Sequence, residues 1–354
     1  MLDIYPKKAK IYAMRNIRNE TRDTHPRSEY TFRCPAERTS LYGPVPSRRL
    51  GLSLGVDIVP FKVCTLDCIY CQLGRTTEKT IERKAYLKVE PILAELRERV
   101  SKGLEADYIT LSGSGEPTLN SELGEIVEGI KKTTDIPVAI LTNGTLLYRQ
   151  DVRADCVKAD VVLPSLDAGD EATFEKINRP HKDISIKKLI EGLCAFRDEF
   201  AGQIWLEVFL VEGINTDSER IARISDAVQL IRPDKVQLNT AVRPVAEAGL
   251  KRLDAEKLKA IATQLGHKAE VVADFSPARL GKHLESKSDF DINDKMSRLL
   301  SMLKRRPCSL NDICSALGVN RNEALKYITH FQQQRLVDCT AKDGVTFFKA
   351  VSPE

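Results

Sequence analysis

The sequence predicts an α/β fold that consists of a partial (β/α)6 TIM-like barrel and a small C-terminal winged helix–turn–helix domain. Two observations support this prediction. From Leu52 to Ala273, short apolar runs typical of strands alternate with segments of helical periodicity, and this alternation is typical of a parallel sheet with helices outside. After residue 290 the pattern changes to three helices followed by a hairpin.

The barrel is expected to contain about six strand–helix units, fewer than the eight of a closed TIM barrel. The strand-like runs cover residues 52–59, 107–111, 137–142, 160–166, 204–211, 235–238 and a short last run at 270–273. The helical segments cover residues 90–102, 121–132, 146–157, 185–200, 218–231 and 254–265. The segment YGPVPSRRLG before the first run is rich in turn-forming residues. In such folds the site lies in the loops that follow the carboxyl ends of the strands.

Composition divides the chain into four parts. Residues 1–40 lack helical or strand periodicity and carry many charges, which predicts a poorly ordered N-terminal extension. The barrel is predicted over residues 41–275 and a linker over residues 276–290. The winged-helix domain is predicted over residues 291–354.

In the predicted winged-helix domain, the starts of the helices and the turn between the strands can be predicted from single residues. Ile292–Lys304 has helical periodicity, and Ser309 and Asn320 are expected to cap the second and third helices. Asp343 and Gly344 predict a tight turn between two strands. This order of elements is the pattern of a winged helix–turn–helix.

Composition restricts the class of protein. The 354 residues carry a formal net charge of +4, with 42% hydrophobic and 29% charged residues, as is usual for a soluble globular protein. No apolar run approaches the roughly 20 residues that a membrane span needs, and no secretory signal is present. We therefore expect a cytoplasmic protein without a membrane partner. In that compartment, nine cysteines without the spacing of a disulfide framework indicate metal binding or catalysis.

The stretch CTLDCIYC places Cys64, Cys68 and Cys71 on one loop, with Tyr70 before the last cysteine. Thiolates on such a loop can reach three corners of one iron–sulfur cluster. The alternative is a structural zinc site, which needs four ligands and usually two cysteine pairs, and no second pair is present. Three thiolates on a four-iron cube leave one iron open, and an open metal position can bind a chelating small molecule.

This loop resembles the CxxxCxxC loop of the radical S-adenosylmethionine (SAM) superfamily, including the aromatic residue before the third cysteine. The resemblance implies that Cys64, Cys68 and Cys71 bind a [4Fe-4S] cluster whose open iron chelates the amine and carboxylate of SAM. One electron from a donor such as ferredoxin or flavodoxin would then break the sulfonium bond. The resulting 5′-deoxyadenosyl radical would abstract a hydrogen atom from the substrate.

A second resemblance lies in LSGSGEPTL. Its residues Gly113, Ser114, Gly115 and Glu116 are similar to the GGE motif of the superfamily, with Ser114 in place of one glycine. Glycines allow the backbone to approach a ligand closely, and a carboxylate suits the ammonium group of SAM. The alternative is an ordinary turn between a strand and a helix.

Polar residues also follow the third and fourth strand-like runs. The resemblance implies that Thr142, Asn143, Ser165 and Asp167, together with Tyr70, contact SAM. The alternative for these positions is helix capping or an Asx turn.

Five segments carry a narrower resemblance. They are YGPVPSRRLG, CQLGRTT, SGSGEPTL, FEKINRPH and QLNTAVRP. They resemble the iron–sulfur oxidoreductases related to the tRNA wybutosine-synthesis radical SAM enzyme, and the resemblance covers about residues 41–245. It implies the same cluster chemistry and leaves the substrate open.

Five polar side chains are expected to line the mouth of the barrel and to bind an anionic substrate, because guanidinium groups suit phosphates and carboxylates. These residues are Arg48, Arg49, Arg179, Asn239 and Arg243. The alternative is that the arginines are ordinary surface residues.

The third helix of the C-terminal domain carries three basic residues, Arg321, Lys326 and Arg335, against one acid, Glu323. A winged helix can bind nucleic acid through this helix, so tRNA or DNA is one expected partner. Docking of a protein or of the barrel itself is the alternative.

Three functions are therefore open. The first is a radical SAM enzyme that acts on tRNA or on a small anionic metabolite. The second is a radical activase or maturase of a protein or cofactor. The third is a redox-sensing regulator without catalysis, which the GSGEP loop disfavours because a sensor needs no SAM site.

Overall fold

The structure is a computed structural model that describes residues 40–266, 268–273 and 292–351. The predicted linker at 276–290 lies outside the described residues, as does the predicted N-terminal extension except for residue 40. All described residues belong to one compact unit. Within them, no helix combines the length and the apolarity needed to cross a bilayer.

The first part of the chain alternates strands and helices, as predicted. Its strands are β1 (Leu41–Ser47), β2 (Gly51–Val56), β3 (Val63–Cys64), β4 (Glu78–Lys79), β5 (Tyr108–Leu111), β6 (Val138–Leu141), β7 (Val161–Leu163), β8 (Gln203–Leu210), β9 (Lys235–Thr240) and β10 (Ala269–Val271). Its helices are α1 (Val89–Ser101), α2 (Leu123–Thr133), α3 (Gln150–Cys156), α4 (Glu171–Asn178), α5 (Ile186–Glu199), α6 (Ser218–Ile231) and α7 (Ala255–Leu265).

Eight of these strands form one sheet in the order β1-β2-β5-β6-β7-β8-β9-β10. From β2 onward all neighbours are parallel, and a helix follows each of the first six parallel strands. This is the open partial barrel that the alternation predicts. The short strands β3 and β4 pair with each other in a separate two-stranded sheet.

Strand β1 was not predicted, because its sequence is rich in turn formers. It pairs antiparallel with β2 at the edge of the sheet, with an irregular register between Tyr42 and Val45. Gly43 has a φ of 94° at this point, which favours glycine. An edge strand tolerates proline and a bulge because one side makes no ladder hydrogen bonds, so this proline-containing run can still pair.

Helix starts in the barrel are fixed by polar caps. Asp170, Ser185, Asp217 and Asp254 each accept a hydrogen bond from the backbone N–H three residues further on. The caps place each helix start directly after its loop. The loops that follow β7, β8 and β9 are therefore each fixed at the residue where the next helix begins.

A small apolar cluster closes the amino-terminal end of the barrel interior. Leu50, in the turn between β1 and β2, packs with Ala139, Val161, Leu163 and Trp205. The neighbouring residues of the same strands belong to the larger core between sheet and helices, as expected from the alternation of side chains along a strand. The opposite end of the interior is left for polar residues.

The chain after residue 291 forms a C-terminal module, defined here as residues 292–351. Its elements are α8 (Ile292–Arg305), β11 (Cys308–Ser309), α9 (Leu310–Leu317), α10 (Arg321–Gln333), β12 (Val337–Lys342) and β13 (Val345–Ala350). Ser309 and Asn320 cap α9 and α10 as expected. The three strands pair in the order β11-β13-β12. The winged-helix assignment of this module stays a prediction.

The C-terminal module packs against the edge strand of the barrel. Helices α8 and α9 contact β1. The Arg305 Nε lies 3.2 Å from the Asp57 Oδ2, and its guanidinium lies over the Tyr42 ring at 4.2 Å. The contact covers an edge that would otherwise be open to pairing with another chain.

Leu50→Ala is expected to lower the free energy of unfolding by about 2–5 kcal/mol, because it leaves a cavity in the cluster that closes the barrel. Leu50 is 3% exposed, whereas Leu230 on α6 is 62% exposed. Leu230→Ala is the matched control and should change the free energy by less than about 0.5 kcal/mol. Urea unfolding followed by circular dichroism measures both. Equal small effects would show that Leu50 does not close the barrel.

Candidate metal and cofactor site

The three predicted cluster cysteines lie on the loop that follows β2, and all three are half-buried free thiols. Burial, reinforced by the Glu116 carboxylate, raises the pKa of Cys64 to about 12. Burial, reinforced by Asp167, raises the pKa of Cys68 well above its usual value. Thiols in such surroundings become thiolates when a metal binds them, because a coordinating thiol is deprotonated.

Each of the three sulfur atoms has a side-chain nitrogen donor beside it. The pairs are Lys62 Nζ and Cys71 Sγ at 3.2 Å, Asn178 Nδ2 and Cys68 Sγ at 3.4 Å, and Asn143 Nδ2 and Cys64 Sγ at 3.6 Å. Donors of this kind stabilise sulfur ligands that carry negative charge.

The donor set fits a [4Fe-4S] cluster. Among the described residues, no three His, Cys, Asp or Glu side chains converge as one metal ion would require. In a [4Fe-4S] cube each thiolate ligates its own iron, so the three sulfur atoms need not meet at one point. Three thiols with three nitrogen donors therefore fit this group.

The loop after β5 carries the predicted GGE-like motif and packs against the cysteine loop. Ser114 donates from its Oγ to Asp57 at 2.5 Å and from its N–H to the same carboxylate at 3.1 Å. A Cβ on Gly113, which has a φ of 134°, would lie 2.6 Å from the Asp57 carboxyl carbon. A Cβ on Gly115 would lie 2.1 Å from the Val63 carbonyl oxygen. Both glycines are therefore required by the close approach of two loops.

Glu116 joins the loops that follow β5 and β6. Its carboxylate is 2% exposed and accepts hydrogen bonds from the Thr118 N–H and Oγ1, from Thr142 Oγ1 at 2.6 Å and from the Asn143 N–H at 2.7 Å. Burial raises its pKa despite these donors. The predicted contact with the SAM ammonium stays a prediction, and the structure adds a second role, the positioning of Thr142 and Asn143.

Asn143 forms the Asx turn that was the alternative for this position, and its contact with SAM stays a prediction. Its Oδ1 accepts from the Thr145 N–H at 3.0 Å, which is an Asx turn. Its Nδ2 donates to Thr65 Oγ1 at 2.7 Å and points to the sulfur of Cys64. The turn therefore fixes a side chain that reaches the cysteine loop.

Asp167 organises the other side of the cysteine loop. Its carboxylate is 2% exposed and accepts from Asn178 Nδ2 at 2.7 Å, from the Phe209 N–H at 2.8 Å and from the Tyr70 hydroxyl. The Tyr70 ring stacks on Phe209 with centroids 3.9 Å apart. Burial raises the pKa of Asp167 to about 6. Asp167 thus holds Tyr70 and Asn178, and Ser165 lies next to it in a bridge to Glu207.

The structure places the five predicted substrate residues in three sets of contacts. Arg49 and Asn239 lie in the barrel interior on the Glu207 carboxylate, at 2.7 Å and 2.8 Å. Arg179 pairs with Glu247 at 2.7 Å beside the cysteine loop. Arg48 and Arg243 line a cavity against the C-terminal module. Arg48 and Arg49 lie in the turn before β2, and a shared mouth for all five residues stays a prediction.

Glu207 faces the barrel interior, where it contacts Arg49 and Asn239. Burial would raise its pKa, but Arg49 and the Asn239 amide outweigh burial and hold the pKa below its usual value. The carboxylate is therefore charged and paired, and it anchors Arg49 inside the barrel.

Two residues at the site were missed as contributors from the sequence. They are Asp57 and Asn178, in their contacts with Ser114 and Cys68. Asn178 belongs to the FEKINRPH segment, so its place in a resembling segment was a usable signal. Asp57 gave no signal beyond its nearness to the cysteine loop in sequence. Lys62, which is adjacent to this loop in sequence, lies with its Nζ 3.2 Å from the Cys71 sulfur.

Comparison with known proteins agrees with this geometry. Residues 58–224 match the family model of the radical SAM superfamily. The UPF0026 protein of Methanocaldococcus jannaschii is 40% identical over 246 residues, which cover 69% of this chain and 75% of that protein. The chain belongs to the UPF0026 family of radical SAM proteins. The predicted superfamily, barrel fold and cofactors, a [4Fe-4S] cluster and SAM, are thereby confirmed.

Two further proteins are similar to this chain. A protein of Brachyspira hyodysenteriae named GTPase Obg is 43% identical over 244 residues, which cover 69% of this chain but only 36% of that protein. A solved structure of TYW1 with a lysine–pyruvate adduct is 18% identical and aligns with a TM-score of 0.48 over 63% of this chain and 75% of that chain.

Cys68→Ala is expected to abolish the brown absorbance of the reconstituted protein. An intact cluster contains about four iron atoms per chain, and the variant should bind far fewer. Cys339→Ala is the matched control, because Cys339 is exposed on β12, and it should bind iron like the wild type. Iron analysis and visible absorbance under anaerobic conditions measure both. Full retention of the cluster by Cys68→Ala would refute the ligand assignment.

Glu116→Ala is expected to weaken SAM binding by about tenfold or more. The substitution removes the hydrogen bonds between the buried Glu116 carboxylate and the loop after β6, and these bonds hold the two loops together. Glu125 on α2 is exposed, so Glu125→Ala should bind SAM within about twofold of the wild type. Equilibrium dialysis with reconstituted protein measures the affinity. Unchanged affinity in Glu116→Ala, with an intact cluster, would contradict the prediction.

Proposed function

We propose that the protein reductively cleaves SAM and uses the 5′-deoxyadenosyl radical to abstract a hydrogen atom from an anionic substrate. The observation that carries the proposal is the set of three half-buried thiols with a nitrogen donor beside each sulfur. The cluster, when bound, supplies the electron transfer that breaks the sulfonium bond. The substrate class is either a small anionic metabolite or tRNA.

The chain's own residues would prepare this chemistry in two ways. Cys64, Cys68 and Cys71 would hold three irons and leave the fourth to the amine and carboxylate of SAM. Lys62 and Asn178 donate toward sulfur and would stabilise the additional negative charge of the reduced state.

A buried acceptor supports a ligand at this place. The Asn178 Oδ1 is buried and has no hydrogen-bond partner within the described part of the chain. A buried amide oxygen without a donor is costly, and a bound molecule would supply the donor. Asn178 also fixes Asp167 and lies beside Cys68, so the acceptor is directly at the cysteine loop.

The interior beyond the cysteine loop supports a shielded reaction. The stacked rings of Tyr70 and Phe209 form an apolar wall, and the Arg49, Glu207 and Asn239 set forms a paired polar wall. Exclusion of water and of competing reactants protects a reactive intermediate from side reactions. We propose a cytoplasmic location, where thiols stay reduced, and a ferredoxin or flavodoxin as the electron donor.

The decisive experiment is anaerobic incubation of the reconstituted protein with SAM and dithionite. We expect 5′-deoxyadenosine by liquid chromatography and mass spectrometry, and none from Cys71→Ala. Cys339→Ala should give the wild-type amount. Failure to form 5′-deoxyadenosine with a fully formed cluster would overturn the proposal and favour a redox-sensing role.

A further inference from the structure

A cavity of about 720 Å³ lies between the barrel and the C-terminal module. It is lined by the β1–β2 turn, the loop after β9, the start of α9 and the β12–β13 hairpin. Its size is within the range of about 300–1,000 Å³ that is typical of small-molecule sites. No residue that lines it belongs to the cysteine loop or to the loop after β5.

The lining of this cavity is strongly cationic. Six of its side chains carry positive charge, namely Arg48, Arg243, Arg252, Arg306, Arg321 and Lys342. Two carboxylates oppose them, and both are engaged, since Asp312 lies 2.9 Å from Arg243 and Asp343 lies 3.3 Å from Arg252. The cavity therefore retains an excess of positive charge.

Three of the arginines supply that excess. Arg48, Arg306 and Arg321 form no ion pair with a carboxylate of residues 40–266, 268–273 or 292–351. The Arg306 guanidinium donates to the Pro46 carbonyl at 3.4 Å. Burial, together with the guanidinium groups of Arg243 and Arg49, lowers the pKa of Arg48 to about 10. Like charges held this closely are costly unless an anion joins them.

We propose that this cavity binds the phosphate group of a small molecule through Arg48, Arg306 and Arg321. A phosphate suits the site because its oxygens accept several guanidinium hydrogen bonds at once and its charge exceeds that of a carboxylate. The start of α9 lines the cavity, and the positive end of that helix adds to the attraction. A small molecule is favoured over a polymer because the charges face a cavity of limited volume rather than an extended surface.

The test is a calorimetric titration of the reconstituted full-length protein with pyrophosphate and with inorganic phosphate, at constant ionic strength and without SAM or reductant. We expect saturable binding of one pyrophosphate per chain. This outcome is independent of the proposed radical chemistry, because no turnover is measured. A protein that binds pyrophosphate but forms no 5′-deoxyadenosine would overturn only the proposed function.

Two matched variants on α10 locate the site. Arg321 and Lys326 are both exposed, but only Arg321 lines the cavity. Arg321→Gln should weaken pyrophosphate binding by about tenfold, the usual effect of losing a hydrogen bond to a charged group. Lys326→Gln should leave it within about twofold. Because Arg321 is exposed, this pair stays informative even if the more buried Arg48→Gln and Arg306→Gln variants fold poorly, which melting temperatures reveal.

Three outcomes would overturn the proposal. One is the absence of saturable pyrophosphate binding, and another is an equal loss in Arg321→Gln and Lys326→Gln. The third is that tRNA binds tightly, depends equally on both residues and is not displaced by pyrophosphate. That result would assign the surface of α10 to a nucleic acid instead.

Discussion

The structure depends on the compensation of anionic groups that are buried together at one end of the barrel. Asp57, Glu116 and Asp167 are each at most 2% exposed and surround the cysteine loop. A buried carboxylate without partners would cost several kcal/mol, so each must be met by donors. The donors come from different loops: Ser114 for Asp57, Thr142 and the Asn143 N–H for Glu116, and Tyr70 with Asn178 for Asp167. These bonds fix the loops relative to one another.

The C-terminal module supplies one of the partners that these buried carboxylates need. Asp57 is shared between Ser114, in the loop after β5, and Arg305, at the end of α8. An arginine from the module therefore neutralises a carboxylate that holds the GGE-like loop. The module also donates from Lys349 to the Leu73 carbonyl in the cysteine loop at 3.2 Å. Loss of the module would remove the Arg305 contact with Asp57, so the module contributes to the barrel that it covers.

Much of the fold and the centre of the site could be predicted from the sequence because both rest on local patterns. Apolar periodicity places the strands, and the spacing of Cys64, Cys68 and Cys71 indicates a cluster. Strand β1 could not be predicted, because a proline-containing run becomes a strand only when an edge is available. The Asn178 donor could not be assigned either, since it lies 110 residues from Cys68 in the chain and only the fold brings them together.

The end of α8 joins the two charged regions of the molecule. Arg305 and Arg306 are consecutive, yet Arg305 contacts Asp57 at the cofactor side whereas Arg306 lines the cationic cavity. An anion bound by Arg306 would contact the chain neighbour of Arg305. Arg305 contacts Asp57, and Asp57 accepts the hydrogen bonds of Ser114. If occupancy of the cavity changes the affinity for SAM, linkage requires that SAM change the affinity for the anion by the same factor. One helix end is thus the shortest covalent path between the two sites.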